Sequence, residues 1–172
     1  VKASIFKSLG QVDWSKLTHS SKLTLVRAYQ IALIRLGETN GSVKNRIVRQ
    51  LDPHFPAPNF EQNWLLCETL AYLQAPNTAA KGIRLLQNAA TQEEQIEYAR
   101  SLRMLKAGWT LELRTAYFEW FLKAANYRGG ASFSKFIEFI RRDAEASLDT
   151  KSREQLKELL AKKPEQKSPF EI

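Results

Sequence analysis

The sequence predicts an all-α fold built from about four stacked helical hairpins. Apolar residues recur at steps of three and four along most of the chain, which is the spacing of an amphipathic helix. Only 7 Gly and 6 Pro interrupt the 172 residues, and no run of alternating β-branched residues indicates a strand. Capping residues precede the apolar stretches and glycine or proline follows them, so most helices have a recognisable beginning and end.

The first predicted hairpin spans about residues 21–51. Its first helix is capped by Ser20 or Ser21 and ended by Gly37, and its second helix begins at Ser42. The preceding segment is weakly periodic, and we interpret it as the end of an earlier helix and a connector.

The second predicted hairpin spans about residues 60–88, with Asn59 as the cap of its first helix and a turn at Pro76. Three prolines within 52–58 predict a loop before it, because proline lacks an amide donor and restricts the residue that precedes it. The first helix is apolar enough to be central. Its apolar residues are Trp64, Leu65, Cys67, Leu70, Ala71, Tyr72 and Leu73.

The third predicted hairpin spans about residues 92–125. Thr91 and Glu94 form a capping box, in which the hydroxyl accepts an amide hydrogen bond and the carboxylate reaches back to the cap. Gly108 suits the left-handed residue that ends a helix, and Thr110 can cap the next one. The apolar stripe of the first helix is Ile96, Ala99, Leu102, Met104 and Leu105.

The fourth predicted hairpin spans about residues 133–162, with Ser132 and Asp149 as the caps of its two helices. After Pro164 the sequence becomes polar. We therefore predict a single helical-repeat domain over residues 1–163 and a tail or linker over 164–172.

The charge and the cysteine content limit the function classes. The formal charge is +8, and residues 1–90 carry 11 Lys and Arg against 5 Asp and Glu. A basic surface attracts phosphate backbones, anionic lipids or acidic proteins, although a solvated helix surface explains the same composition. One cysteine, Cys67, excludes an internal disulfide or an all-cysteine metal site, and we interpret it as a core thiol. His19 and His54 are isolated in sequence and predict no metal site.

The chain has no apolar run near the ~20 residues of a membrane span. It also has no initiator Met and no signal-like start, so we interpret it as a piece of a longer polypeptide. No nucleophile, metal or phosphate-loop motif is present in the sequence. We expect no catalysis and no cofactor in this chain.

The hairpins resemble known helical repeats. Turns at Gly37, Pro76 and Gly108 are 39 and 32 residues apart, within the loose period of paired-helix solenoids. The segment LLCETLAYLQAPNTAAKGIRLLQ resembles a degenerate HEAT repeat, with a helix, a Pro/Asn turn and a second helix. The resemblance makes the expected fold a HEAT-like α-solenoid.

A longer resemblance covers roughly Leu51 to Ala144, and its least generic piece is NYRGGASF. This part is similar to the helical-repeat region of large planctomycete-type proteins that also carry a sugar-dehydrogenase-like propeller and a c-type cytochrome domain. The resemblance implies a non-catalytic module within an exported, redox-linked protein, and thus an extracytoplasmic, periplasmic location. The chain departs from the cytochrome part because it contains no C-x-x-C-H for haem attachment.

The same NYRGGASF segment is the best local candidate for a site. Gly129 and Gly130 allow close approach of an anion, Ser132 begins a helix with free amides, and Arg128 adds a forked donor. A carboxylate or a phosphate is the expected ligand. In the alternative interpretation, the glycines make a sharp turn while Tyr127 and Arg128 pack on the neighbouring hairpin.

The function that the sequence favours is a protein-interaction scaffold. Its expected contact residues are Arg46, Arg49 and Arg128. The expected ligands are the other domains of the parent protein or a protein partner. The alternative is a basic HEAT-like module that binds nucleic acid. A third hypothesis, a base-excision enzyme on helical repeats, needs a positioned carboxylate and an aromatic pocket that the sequence does not locate. The basic residues behind the nucleic-acid alternative are Lys22, Arg27, Arg35, Lys44, Arg46 and Arg49.

Overall fold

The computed structural model describes residues 2–37, 39–130 and 132–164, and within these it contains helices and no strand. The all-α prediction is therefore confirmed. The helices are α1 Lys2–Gly10, α2 His19–Leu36, α3 Gly41–Leu51, α4 Phe60–Tyr72, α5 Thr78–Asn88, α6 Gln92–Leu102, α7 Leu111–Ala124, α8 Phe133–Ala146, α9 Thr150–Gln155 and α10 Lys157–Ala161, with 3₁₀ helices at Trp14–Lys16 and Asp52–His54. Residues 165–172 of the predicted tail lie outside the described residues, and the domain limits stay a prediction.

Four of the predicted caps are confirmed by hydrogen bonds. Each cap side chain accepts from the backbone amide three residues further on, which satisfies one of the free donors at the start of the helix. The confirmed caps and their donors are Asn59 with Gln62, Thr91 with Glu94, Thr110 with Leu113 and Asp149 with Ser152.

Other predicted helix starts were wrong by a few residues. Thr18, not Ser20 or Ser21, caps α2, because Thr18 has the extended backbone of a cap and its hydroxyl accepts from the Ser21 amide. Asn40 likewise caps α3, which begins at Gly41, one residue before the predicted start at Ser42. Ser132 precedes α8 but has helical dihedrals and makes no capping hydrogen bond with its side chain.

The end of α6 also differs from the prediction. The helix ends at Leu102 rather than at Gly108, although Gly108 does take a positive φ of 74°. The side chain of Gln74, which follows α4, explains the early end. Its amide nitrogen donates to the Met104 carbonyl at 3.1 Å and its oxygen accepts from the Lys106 amide at 2.7 Å. These tertiary bonds take backbone groups that a longer helix would have used.

The helices pack in two series. In the first series α2 contacts α4, α4 contacts α6 and α6 contacts α8, and in the second α5 contacts α7 and α7 contacts α10. The two series also contact each other, since α5 packs on both α4 and α6. At the N-terminal side α1 packs on α2 and α3.

Successive inter-helix turns are tied to each other. A Cβ built on Gly108 would lie 1.9 Å from the Pro76 carbonyl oxygen, so the turn after α6 rests directly on the turn after α4. One hairpin earlier, Asn77 and Lys81 both donate to the Asp52 carboxylate, at 2.9 and 3.0 Å. Neighbouring hairpins are thus joined at two places along the chain, although a Cβ at Gly37, in the turn after α2, would meet nothing within 4 Å.

Most of the predicted core is buried, including Cys67, whose pKa is raised to about 12 by burial. Two expected core residues are not. Tyr72 is 54% exposed and Met104 is 56% exposed. Both lie at the last turn of their helices or just beyond it, where the chain leaves the face that the neighbouring hairpin covers.

Candidate functional site

The segment around Arg128 is held by two glutamines of α6. The Gln92 side chain donates to the Arg128 carbonyl at 2.6 Å and accepts from the Arg128 amide at 3.3 Å. The Tyr127 hydroxyl donates to the Gln95 carbonyl oxygen, and the Tyr127 ring meets Trp120 edge to face. Partial burial raises the pKa of Tyr127. This geometry favours the packing interpretation of the segment.

The two glycines of the segment have different surroundings. A Cβ on Gly129 would lie 2.2 Å from Cγ of Phe133, whereas nothing approaches within 4 Å of a Cβ on Gly130. Neither glycine has a positive φ. Arg128 and Ser132 are exposed, so their polar groups remain accessible to solvent. The anion site stays a prediction, and the described contacts of Arg128 are those of its backbone with Gln92.

Arg46 and Arg49 lie on the exposed side of α3, which packs on other helices than the segment around Arg128 does. Helix α3 packs on α1 and α4, whereas residues 127 and 128 pack on α6. The Arg46 side chain lies beside Gly10 and close to the buried Tyr29. Burial raises the pKa of Tyr29 to about 12, and the nearby positive charge of Arg46 acts in the opposite direction. The structure therefore gives the predicted contact residues two separate locations.

A groove between α2 and α4 is a feature that the sequence analysis missed. We call it the outer groove, and it encloses about 360 Å³. A second depression continues it along α2, because Arg27 lines both. The outer groove is lined by Arg27, Gln30, Leu33, Ile34, Glu68, Thr69 and Tyr72.

Four exposed apolar side chains belong to the helices around the outer groove and their ends, and two of them, Ile34 and Tyr72, line the groove. We call them the apolar row: Ile31, Ile34, Tyr72 and Met104, which are 60%, 76%, 54% and 56% exposed. The hydrogen bond from Gln74 places the Met104 backbone beside the end of α4. Single exposed apolar residues are ordinary, but a set of them beside one groove indicates an interaction surface.

A sequence signal for the apolar row existed in α2. The buried stripe of this helix accounts for Leu25, Val26, Tyr29, Ala32 and Leu33. Ile31 and Ile34 fall outside it, on the opposite side of the helix. Arg27, Ile31 and Ile34 occupy positions i, i+4 and i+7 of the helix, so all three lie on that side. A helix with apolar residues on two faces predicts a second partner.

The charges around the outer groove are arranged asymmetrically. Glu68, on the α4 side, is bonded to Arg100 at 3.2 Å and to Gln30 at 3.1 Å. Helix α2 contains no carboxylate. The guanidinium of Arg27, on this helix, lies 5.2 Å from the centre of the Trp64 ring. It also donates to the side-chain oxygen of Gln30 at 3.1 Å. The α2 side of the groove is therefore basic, with one arginine held in place.

Within residues 2–37, 39–130 and 132–164, no helix is long and apolar enough to cross a membrane. The same residues contain no cluster of three or more His, Cys, Asp or Glu arranged to hold a metal ion. No protein-family model, curated protein or solved structure was found to match the chain.

Proposed function

We propose that the chain is a non-catalytic, HEAT-like scaffold that binds a protein partner or another domain of its own polypeptide through the apolar row. The observation that carries the proposal is the repetition of this row. Ile34, Tyr72 and Met104 are exposed, lie at or near the ends of α2, α4 and α6, and are 38 and 32 residues apart. Their spacing follows the spacing of the turns, so each of the first three hairpins contributes an apolar residue to a shared surface.

The packing supports the HEAT-like part of the proposal. In a solenoid each hairpin buries its apolar face mainly against its neighbours, and equivalent helices contact in series. The contacts from α2 through α8 and from α5 through α10 have this order. The bonds from Gln74 to residues 104 and 106 join the second and third hairpins, and the bond from Lys81 to Asp52 joins the first and second.

The place of the scaffold follows from the resemblance of residues 51–144 to planctomycete-type helical-repeat regions. In that setting the chain separates or positions domains of an exported, redox-linked protein, and the apolar row contacts one of those domains or a protein partner. The chemistry belongs to the rest of the polypeptide, and this chain needs no cofactor of its own.

Site-directed photo-cross-linking tests the proposal. A photoreactive phenylalanine analogue replaces Tyr72 in the full parent protein, and the matched control replaces Glu119, which is exposed on α7. We expect one defined cross-linked polypeptide, or one defined internal cross-link to another domain, from position 72 only. Equal products at both positions, or none at position 72, would refute the interaction surface.

A second candidate function is nucleic-acid binding, which the N-terminal helices favour. Residues 1–51 contain nine Lys and Arg and two carboxylates, Asp13 and Glu38. The Asp13 carboxylate is bonded to both the amide and the hydroxyl of Ser15. Contacts with phosphates predict duplex binding that weakens steeply with salt and depends little on base sequence. Absence of duplex binding at ~50 mM salt would exclude this function.

A further inference from the structure

We infer that the outer groove and the apolar row bind an acidic amphipathic helix of the partner. This inference rests on the proposed scaffold function and specifies the chemical class of its ligand. It is carried by three properties of the surface: its length along α2, its exposed apolar side chains and the sign of its charges.

The shape fits a helix. The outer groove and the depression that continues it extend along α2 from Ser20 to Ile34. At 1.5 Å per residue this corresponds to about 20 Å, or roughly four turns of a ligand helix. A groove between two packed helices accepts a third helix that inserts apolar residues at i, i+3 or i+4, and i+7.

The apolar contacts are suited to such anchors. Ile34 and Tyr72 stand on opposite walls of the groove, and both are more than half exposed. Ile31 lies one turn before Ile34 on the same side of α2. Met104 extends the surface towards α6, and its flexible thioether adapts to different partner side chains. Burial of these four residues would remove the largest exposed apolar groups of α2, α4 and the end of α6 from water.

The charges select an acidic ligand. Arg27 and the exposed Arg35 bracket Ile31 and Ile34 along α2. The carboxylates across the groove are bonded within the protein: Glu68 lies 3.2 Å from Arg100, which also pairs with Glu97, and Glu61 lies 3.2 Å from the imidazole of His19. Helix α2 itself carries no carboxylate. A ligand carboxylate would therefore find positive groups on the α2 side. Because Arg27 is already positioned by Trp64 and Gln30, little ordering is required when it binds.

An unbiased peptide selection tests the inference. The probe is a display library of random 16-residue peptides, selected against the whole chain. We expect the selected peptides to be rich in Asp and Glu and to carry apolar residues at helical spacing. Backbone amide NMR shifts on adding the best peptide should then concentrate in residues 27–35 and 64–72.

Two matched variants locate the binding. Ile34→Asp places a charge in the apolar row, whereas Phe139→Asp makes the same change at another exposed apolar residue, on α8. We expect Ile34→Asp to weaken peptide binding at least tenfold and Phe139→Asp to change it less than twofold. The double reversal Arg27→Glu with Arg35→Glu should also weaken it at least tenfold. Thermal unfolding of each variant checks that the fold is retained.

Several results would overturn the inference. These are the absence of any selected peptide, selection of neutral or basic peptides, and binding that Ile34→Asp leaves unchanged. Co-sedimentation with phosphatidylglycerol vesicles that Ile34→Asp abolishes, without a selected peptide, would assign the surface to a lipid bilayer instead. If Tyr72 cross-links to a partner surface that is not an acidic helix, the scaffold function survives and the ligand class is wrong.

Discussion

Two glycine-containing turns of the molecule look alike in sequence and differ in structure. The turn after α6 contains Gly108, and the turn after α7 contains Gly129 and Gly130. Gly108 has φ 74° and touches the Pro76 carbonyl, whereas Gly130 has an ordinary φ and open space around it. The first turn is part of the contact between neighbouring hairpins. The second is held from outside, by the side chains of Gln92 and Gln95.

The difference shows what a glycine signal means in a helical repeat. At Gly108 the backbone conformation and the neighbouring hairpin both exclude a side chain. At Gly130 neither of them does. Sequence alone led us to place the candidate anion site at the second turn. In the structure a positive φ and a close approach to another hairpin's backbone occur only at the first turn, whereas in the second turn Gly129 faces the Phe133 side chain and Gly130 has open space.

The largest expected effect is that of Gly108→Ala. An alanine must adopt a left-handed conformation there, and its Cβ would lie 1.9 Å from a backbone oxygen that cannot move without shifting the adjacent turn. We expect a loss of about 3 kcal/mol of unfolding free energy. Gly130→Ala is the matched control and should change stability by less than about 0.5 kcal/mol. Urea unfolding of both variants gives the comparison.

Equal losses for the two variants would contradict the distinction between the turns. A small effect of Gly108→Ala would mean that the hairpins are not locked together at Pro76 and can shift independently.

Sequence analysis located the first turn because its determinants are local. A left-handed glycine and the capping hydroxyl of Thr110 follow from residue type and order, and both are present in the structure. The end of α6 depended on Gln74, which lies 30 residues from Met104. A contact at that separation leaves no mark in the periodicity of α6. The helix was therefore predicted too long.

Gln95 should account for much of the difference between the two turns. It is buried, donates to the Ala89 carbonyl at 3.0 Å, and accepts hydrogen bonds from Trp120 and Tyr127. Gln95→Ala leaves the buried Trp120 donor and the partly buried Tyr127 hydroxyl without their acceptor, so we expect a loss of about 2 kcal/mol. Gln92→Ala removes two bonds to the partly solvated backbone of Arg128 and should cost about 1 kcal/mol.

Thermal unfolding together with amide hydrogen exchange at residues 126–130 measures both variants. For Gln92→Ala we expect increased exchange in this segment together with a loss of only about 1 kcal/mol of global stability. The same limited result for Gln95→Ala would show that the aromatic cluster does not depend on this glutamine.

The candidate site was less predictable than the fold for a related reason. The buried face of α2 can be recognised from its period, but the meaning of Ile31 and Ile34 depends on where α4 ends and on which charges are already paired. Glu68 looks like an available carboxylate in the sequence, but it pairs with Arg100, 32 residues away, which Glu97 also binds. The sign of the outer groove is therefore a property of the assembled hairpins.

The smallest expected effect on the unfolding free energy concerns the residues that precede the two helices following these turns. Thr110 accepts a hydrogen bond from the Leu113 amide at 3.2 Å, whereas Ser132, the residue before α8, makes no such bond with its side chain. We expect Thr110→Ala to lower the unfolding free energy by about 1 kcal/mol, and Ser132→Ala to leave it within about 0.3 kcal/mol. Urea midpoints at equal slope measure the difference. A loss of similar size for Ser132→Ala would show that its hydroxyl caps α8 in solution, and the amides at the start of that helix would then be occupied rather than open to an anion.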